Sequence, residues 1–133
     1  MAGAGIFFTD GKKFLLLKRG KGDHEGKWCI PGGGLKKGES PFEAAKRESI
    51  EECGTAEGSK FAQIKEEGDG HSWTTFFFRI KDAFDCKLSR EHTDYAWVKF
   101  SDAKRMDLHP SMKKNLSRHL SVAKSLLKFK DWI

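Results

Sequence analysis

The segment from Gly33 to Thr55, GGLKKGESPFEAAKRESIEECGT, constrains this chain more than any other. It encodes a helix with both ends marked. Ser40 is a good N-cap, Pro41 suits the first helical position, Glu43 completes a capping box, and Gly54 is a natural stop. Nothing between 41 and 53 breaks a helix. Glu48 lies three residues before Glu51 and four before Glu52, so the three carboxylates share a face. Arg47, four residues before Glu51, is placed to tether that carboxylate. Clustered carboxylates repel one another unless a cation sits among them. Hard oxygen donors with little nitrogen or sulfur nearby favour Mg2+ or Mn2+ over zinc. The segment therefore reads as a divalent-metal site, entered through a glycine-rich turn at Pro31-Gly32-Gly33-Gly34.

Three glutamates on a helix are usually only a solvated face, and the register is what argues otherwise. Gly33 is followed after five residues by Glu39, then after seven by Arg47-Glu48, then Glu51-Glu52 and Gly54. At average residue usage, seven such fixed positions match by chance about once in 10^8 starts or fewer. This pattern resembles the signature of the Nudix hydrolase family, of the MutT-like kind. The family usually carries bulky aliphatics where this chain has Ser49 and Thr55. Those positions pack the helix, and Ile50 is expected to share that packing.

The resemblance implies an α/β/α sandwich with a mixed central sheet, and a set of site residues. Glu51 and Glu52 correspond to metal ligands. Glu48 corresponds to the helper of the attacking water or to a further ligand, and Arg47 to its orienting partner. Gly32 is expected to offer its backbone carbonyl. Family members often add a carboxylate from a later loop. Glu91, six residues before Trp97, is the choice here, with Glu66 and Glu67 as rivals.

The rest of the chain agrees with one domain covering 1–133. Apolar runs at 4–9 and 13–18, joined by Asp10-Gly11, predict a hairpin. Residues 20–27, GKGDHEGK, read as a polar loop, and Trp28-Cys29-Ile30 as a short strand. Strands are expected at 60–67, 73–80 and 94–100. The 73–80 run carries aromatics on both faces, as a central strand covered on both sides would. A helical turn near 101–105 precedes a helix over 111–128, whose Met112, Leu116, Leu120, Ala123 and Leu127 face the body. Strands mixed with two helices point to an α/β fold with a mixed sheet, independently of the family.

The chain has 133 residues, long enough for a single core. No apolar run approaches the length of a membrane span, and the N-terminus lacks the pattern of a signal peptide. Cys29, Cys53 and Cys86 are odd in number and show no metal spacing. They read as reduced thiols in a cytoplasmic protein. The formal charge is +6, and all of the excess lies in residues 104–133, where eight Lys and Arg face two Asp. A solvated helix face is the favoured reading of that segment, and a nucleic-acid surface the alternative. His24, His71, His92, His109 and His119 are scattered, and surface positions are expected for most. Trp28, Trp73 and Trp97 either stack on a base or fill the core, with core packing the commoner outcome. Lys18 and Arg19, closing the second strand, either meet phosphate or mark an exposed strand end. Arg19, Trp28 and Trp97 are the substrate-binding candidates.

The resemblance implies hydrolysis of a nucleoside diphosphate linked to another group, with Mg2+ as cofactor and Mn2+ as a substitute. Relatives acting on ADP-ribose carry a proline, and some dinucleoside polyphosphate hydrolases a tyrosine, in a region where this chain has Gly70 to Trp73. Small size and the lack of such markers favour a nucleoside triphosphate, oxidised or not, as substrate. The alternatives are an RNA-end or cap hydrolase, an ADP-ribose or dinucleoside polyphosphate hydrolase, and a non-catalytic nucleotide sensor. A monomer or a homodimer is expected.

Overall fold

A computed structural model describes residues 1–128, with side chains through 126. Seven strands form one mixed sheet: β1 (Ala2–Thr9), β2 (Lys13–Arg19), β3 (Trp28–Cys29), β4 (Gly32–Gly34), β5 (Ser59–Gly68), β6 (His71–Arg79) and β7 (His92–Lys99). β1 runs parallel to β6, and the other pairings are antiparallel. The expected hairpin forms at Asp10-Gly11, but β1 and β2 share only the Thr9–Phe14 register before diverging. Beyond that point β2 pairs along its length with β7. The divergence opens a gap between β1 and β2, and β4 fills part of it by pairing with β1. The glycine-rich stretch at 32–34 is therefore strand, where the sequence reads as a turn.

Alternation along the strands builds two cores. Ile6, Phe8, Leu15, Leu17, Phe76 and Phe78 lie on one face with Ala44, Ala45 and Cys53 of α1 (Pro41–Cys53). Phe7, Phe14, Leu16 and Phe77 lie on the other, with Met112 and Ala123 of α2 (Pro110–Lys124). Phe76, Phe77 and Phe78 thus serve opposite faces in turn, as strand geometry requires, and β6 is covered on both sides. The layers are α/β/α around a mixed sheet. α2 is shorter than the 111–128 expectation, because Ser125–Lys128 tightens into a 3-10 turn. Leu116 and Leu120 pack on the core as expected, while the side chain of Leu127 lies outside the described residues. No helix of the described residues is long and apolar enough to cross a membrane.

His24 and His71 are exposed, but His92 and His119 are buried. His119 rests edge-on against Phe7 and Phe77, with its Nε2 3.0 Å from Glu66 Oε1. A histidine on α2 is thus part of the core, on the same face as Met112 and Ala123, where its polar side chain masks a buried position.

Candidate active site

α1 is built as its sequence demands. Ser40 Oγ accepts from the Glu43 N–H and the Glu43 carboxylate accepts from the Ser40 N–H, closing the capping box. At the other end Gly54 adopts φ 84°, the left-handed conformation that ends helices at little cost for glycine. Between these ends, the departure at Ser49 has a physical account. Its side chain is buried, and the hydroxyl donates to the Thr55 carbonyl at 2.6 Å, just past the cap. A polar group is accommodated in the core because it satisfies a backbone acceptor there. Ile50 does not share the packing. It is 55% exposed, because its position on the helix turns it to solvent.

β4 lies beneath the carboxylate face of α1 and explains two of the glycines. A Cβ on Gly32 would fall 2.5 Å from the Ala4 carbonyl oxygen and 2.7 Å from the Gly5 Cα. A Cβ on Gly33 would fall 2.5 to 2.8 Å from the Glu48 carboxyl group. Backbone without side chains is what lets helix and strand approach this closely. The Gly32 N–H then donates to Glu52 Oε1 at 2.8 Å.

Arg47 organises the acidic face more broadly than a single tether. Its guanidinium grips Glu39 with two hydrogen bonds, Nε to Oε2 at 2.7 Å and Nη2 to Oε1 at 3.0 Å. It also reaches Glu48 at 3.0 Å, both Glu51 oxygens at 3.3 Å and the Gly34 carbonyl at 3.0 Å. Glu39 is the partner that spacing along the helix does not reveal, since it lies before the N-cap. Its bonds to Arg47 and to the Lys36 N–H hold its carboxyl at about 2, well below the usual range.

These elements border a cavity of about 450 Å³, a size suited to a small-molecule ligand. Glu48, Glu51, Glu52 and Glu91 line it with Gly32 and Gly33, and Arg19, Gly20, Lys21, Cys29 and His92 complete the wall. Every metal candidate named from the sequence is therefore present, Glu91 included. The rivals are elsewhere. Glu66 faces His119, and Glu67 pairs with Lys65. Arg19 reaches the cavity where the β2–β7 register shifts between Lys18 and Arg19, an irregularity of the kind that re-aims a side chain beside a site. Lys18 instead lies over the Trp28 ring. A larger hollow of about 670 Å³ lies open at the Gly68–Ser72 turn, and none of the signature residues borders it.

Trp28 and Trp97 do not line the cavity. Trp97 packs edge-on against Phe84 and donates its indole N–H to the Phe84 carbonyl at 2.9 Å. Trp28 packs against the α2-side core. Lys21, Cys29 and His92 take their place. For Lys21 the signal was the polar loop at 20–27, whereas nothing in the sequence marks Cys29 or His92. Burial pushes the Cys29 thiol up to about 11 and the His92 ring below its ordinary value, so both are neutral near pH 7. His92 Nδ1 is buried without a hydrogen-bond partner among the described residues.

The electrostatics of the acidic wall bear on cation binding. Burial above all, helped by the charges of Glu48 and Glu91 and opposed by the Gly32 N–H, raises the Glu52 carboxyl to about 8. Glu48 is also raised, chiefly by burial. Carboxylates driven together at this cost are an arrangement that a cation relieves, and an all-oxygen donor set fits Mg2+ or Mn2+. Among the described residues no three acidic groups, histidines or cysteines form a ready-made metal cage. Glu48 and Glu51 are held by Arg47.

Comparison with known proteins places this arrangement. The family model described as NUDIX domain matches residues 1–119. This chain belongs to the Nudix family. The nucleoside triphosphatase NudI of Escherichia coli strain K12 is 32% identical over 121 residues, covering 77% of this chain and 84% of that protein. Among solved structures, a C. elegans Ap4A hydrolase in a binary complex has a TM-score of 0.74 at 25% identity, covering 96% of this chain and 98% of that one. A MutT protein from Methanosarcina mazei Go1 has a TM-score of 0.72 at 27% identity, covering 93% and 95%. This Nudix domain is accordingly a pyrophosphohydrolase, and its acidic cavity coincides with the signature segment.

Proposed function

We propose that this Nudix enzyme is a Mg2+-dependent nucleoside triphosphate pyrophosphohydrolase. The observation that carries the reading is the cavity itself, which brings four carboxylates together with Arg19 and Lys21. The similarity to a nucleoside triphosphatase over most of both chains supports this substrate class over other linked diphosphates.

Glu48, Glu51, Glu52 and Glu91, with the Gly32 carbonyl, would hold the metal. When bound, it neutralises phosphate charge and makes water easier to deprotonate. The remaining roles belong to the chain. Arg19 and Lys21 meet the anionic end of the substrate and hold it against the acidic wall. Glu48, half-buried and raised above the usual carboxylate range, is suited to take a proton from the attacking water. Arg47 holds Glu39, Glu48 and Glu51 together and keeps the helix face ordered between turnovers. His92 and Cys29 contribute a neutral patch between cations and carboxylates.

The test is a screen of nucleoside triphosphates, with and without Mg2+, that detects nucleoside monophosphate and pyrophosphate. Wild-type enzyme is expected to release both, and Glu51→Gln and Glu52→Gln to release neither. Wild type as inactive as both variants on every nucleotide overturns the enzyme reading. Activity surviving both substitutions overturns the site assignment.

A further inference from the structure

The segment 81–91 leaves β6, carries no regular structure and re-enters the sheet at β7. On its way it crosses the C-terminal end of α1. The Lys87 N–H donates to the Cys53 carbonyl at 3.1 Å and the Ser89 N–H to the Glu52 carbonyl at 3.3 Å. These bonds satisfy carbonyls that the end of a helix leaves free, and they fix the strap against the helix. Cys86 lies on the strap one residue before the first of them. The Lys87 bond seats it beside Cys53, the last residue of α1. Cys53 is 1% exposed, Cys86 is partly exposed, and both join the core that contains Phe8 and Phe78. The third cysteine, Cys29, lines the catalytic cavity beside Arg19 and meets neither.

Two thiols at one core, on backbones pinned to each other next door, need little movement to bond. We propose that Cys53 and Cys86 are a modification site at which a hydroperoxide forms a reversible disulfide. The more accessible Cys86 sulfur attacks a peroxide oxygen first: the O–O bond breaks, Cys86 becomes a sulfenic acid, and water or an alcohol leaves with the thiol proton. The Cys53 sulfur then attacks Cys86 sulfur, the S–O bond breaks, and a water leaves with the thiol proton. Two thiols are oxidised by two electrons and one peroxide is reduced. A dithiol reverses the bond by exchange. The cross-link staples the segment leading to Glu91 onto the helix end that follows Glu52, so it joins two walls of the cavity outside the cavity itself.

Closing a loop of roughly 30 residues stabilises a domain of this size enough to raise Tm by roughly 10 °C. The full chain, folded and without added metal, is treated with a small excess of hydrogen peroxide, then denatured in an alkylating agent and digested without reductant. Mass spectrometry is expected to find the Cys53 and Cys86 peptides joined, about 2 Da below their free sum, with Cys29 alkylated. Tm is expected to rise with the cross-link and to fall back with dithiothreitol. Cys86→Ser is expected to show neither change; if it does not fold, Cys86→Ala serves in its place. Cys53 and Cys86 recovered as separate alkylated or sulfinic peptides, a disulfide that uses Cys29, or a cross-linked protein with unchanged Tm overturns the proposal.

Discussion

Glu52 offers a direct separation of stability from function. Its side chain is 5% exposed, and its carboxyl titrates near 8 instead of 4.5 because burial penalises the charge. A shift of that size is a difference of roughly 5 kcal/mol between protonation states. In the unfolded chain Glu52 loses its proton near 4.5, whereas in the folded chain it keeps it until about 8. Between those values the native state binds more protons, so stability falls as pH rises across the window and levels off beyond it. By pH 7 the loss is about 3 kcal/mol, equivalent to roughly 10 °C in Tm for a domain of this size. Glu52→Gln is neutral at every pH and keeps an oxygen for the Gly32 N–H. The assay is Tm against pH from 4.5 to 8.5 in chelator, for wild type and Glu52→Gln. The two are expected to coincide at the acid end, with the variant higher by roughly 15 °C at pH 8. Added Mg2+ is expected to raise wild type at pH 8 more than the variant, because the substitution removes one charged ligand from the proposed metal site. Parallel curves across the whole range refute the reasoning, since they mean that Glu52 carries no buried charge to relieve.

The two glycines of β4 are expected to respond differently. Gly33→Ala drives a methyl into the Glu48 carboxyl, the movable end of a side chain, so Tm is expected to change little while kcat falls at least tenfold. Gly32→Ala meets backbone at 2.5 and 2.7 Å and is expected to cost about 1–3 kcal/mol by urea unfolding. On α1, Ser49→Ala is expected to lose about 1–2 kcal/mol by leaving the Thr55 carbonyl only the long Cys53 thiol contact. Ile50→Ala, on the solvent side, is expected to stay within about 0.5 kcal/mol of wild type.

Local chemistry was legible wherever a residue and its partner lie within a turn or two of helix or strand. The capping box, the stop at Gly54, the Asp10-Gly11 hairpin and the two-faced β6 all follow from near neighbours. Legibility failed where a residue answers to a distant element. The glycines at 32–34 read as a turn until β1 is seen beside them to make a strand. Ile50 reads as apolar packing until the helix is placed and turns it outward. Trp28 and Trp97 are stacking candidates on composition, yet each finds its partners in the core.

By itself the sequence determined the family, the helix that carries the acidic residues and the face on which they lie. These depend on spacing within one segment, and spacing along a helix is geometry already. Only the tertiary structure decided what surrounds that face. It placed Glu91 at the cavity and Glu66 and Glu67 away from it, gave Arg47 its main partner in Glu39, brought Arg19, Lys21, Cys29 and His92 to the cavity, and laid the strap that carries Cys86 across the helix end at Cys53. Each of those contacts joins segments whose separation in the chain says nothing of their distance in space. Sheet register and the path of the 81–91 strap, which arise from the packing of the whole domain, are what bring them together.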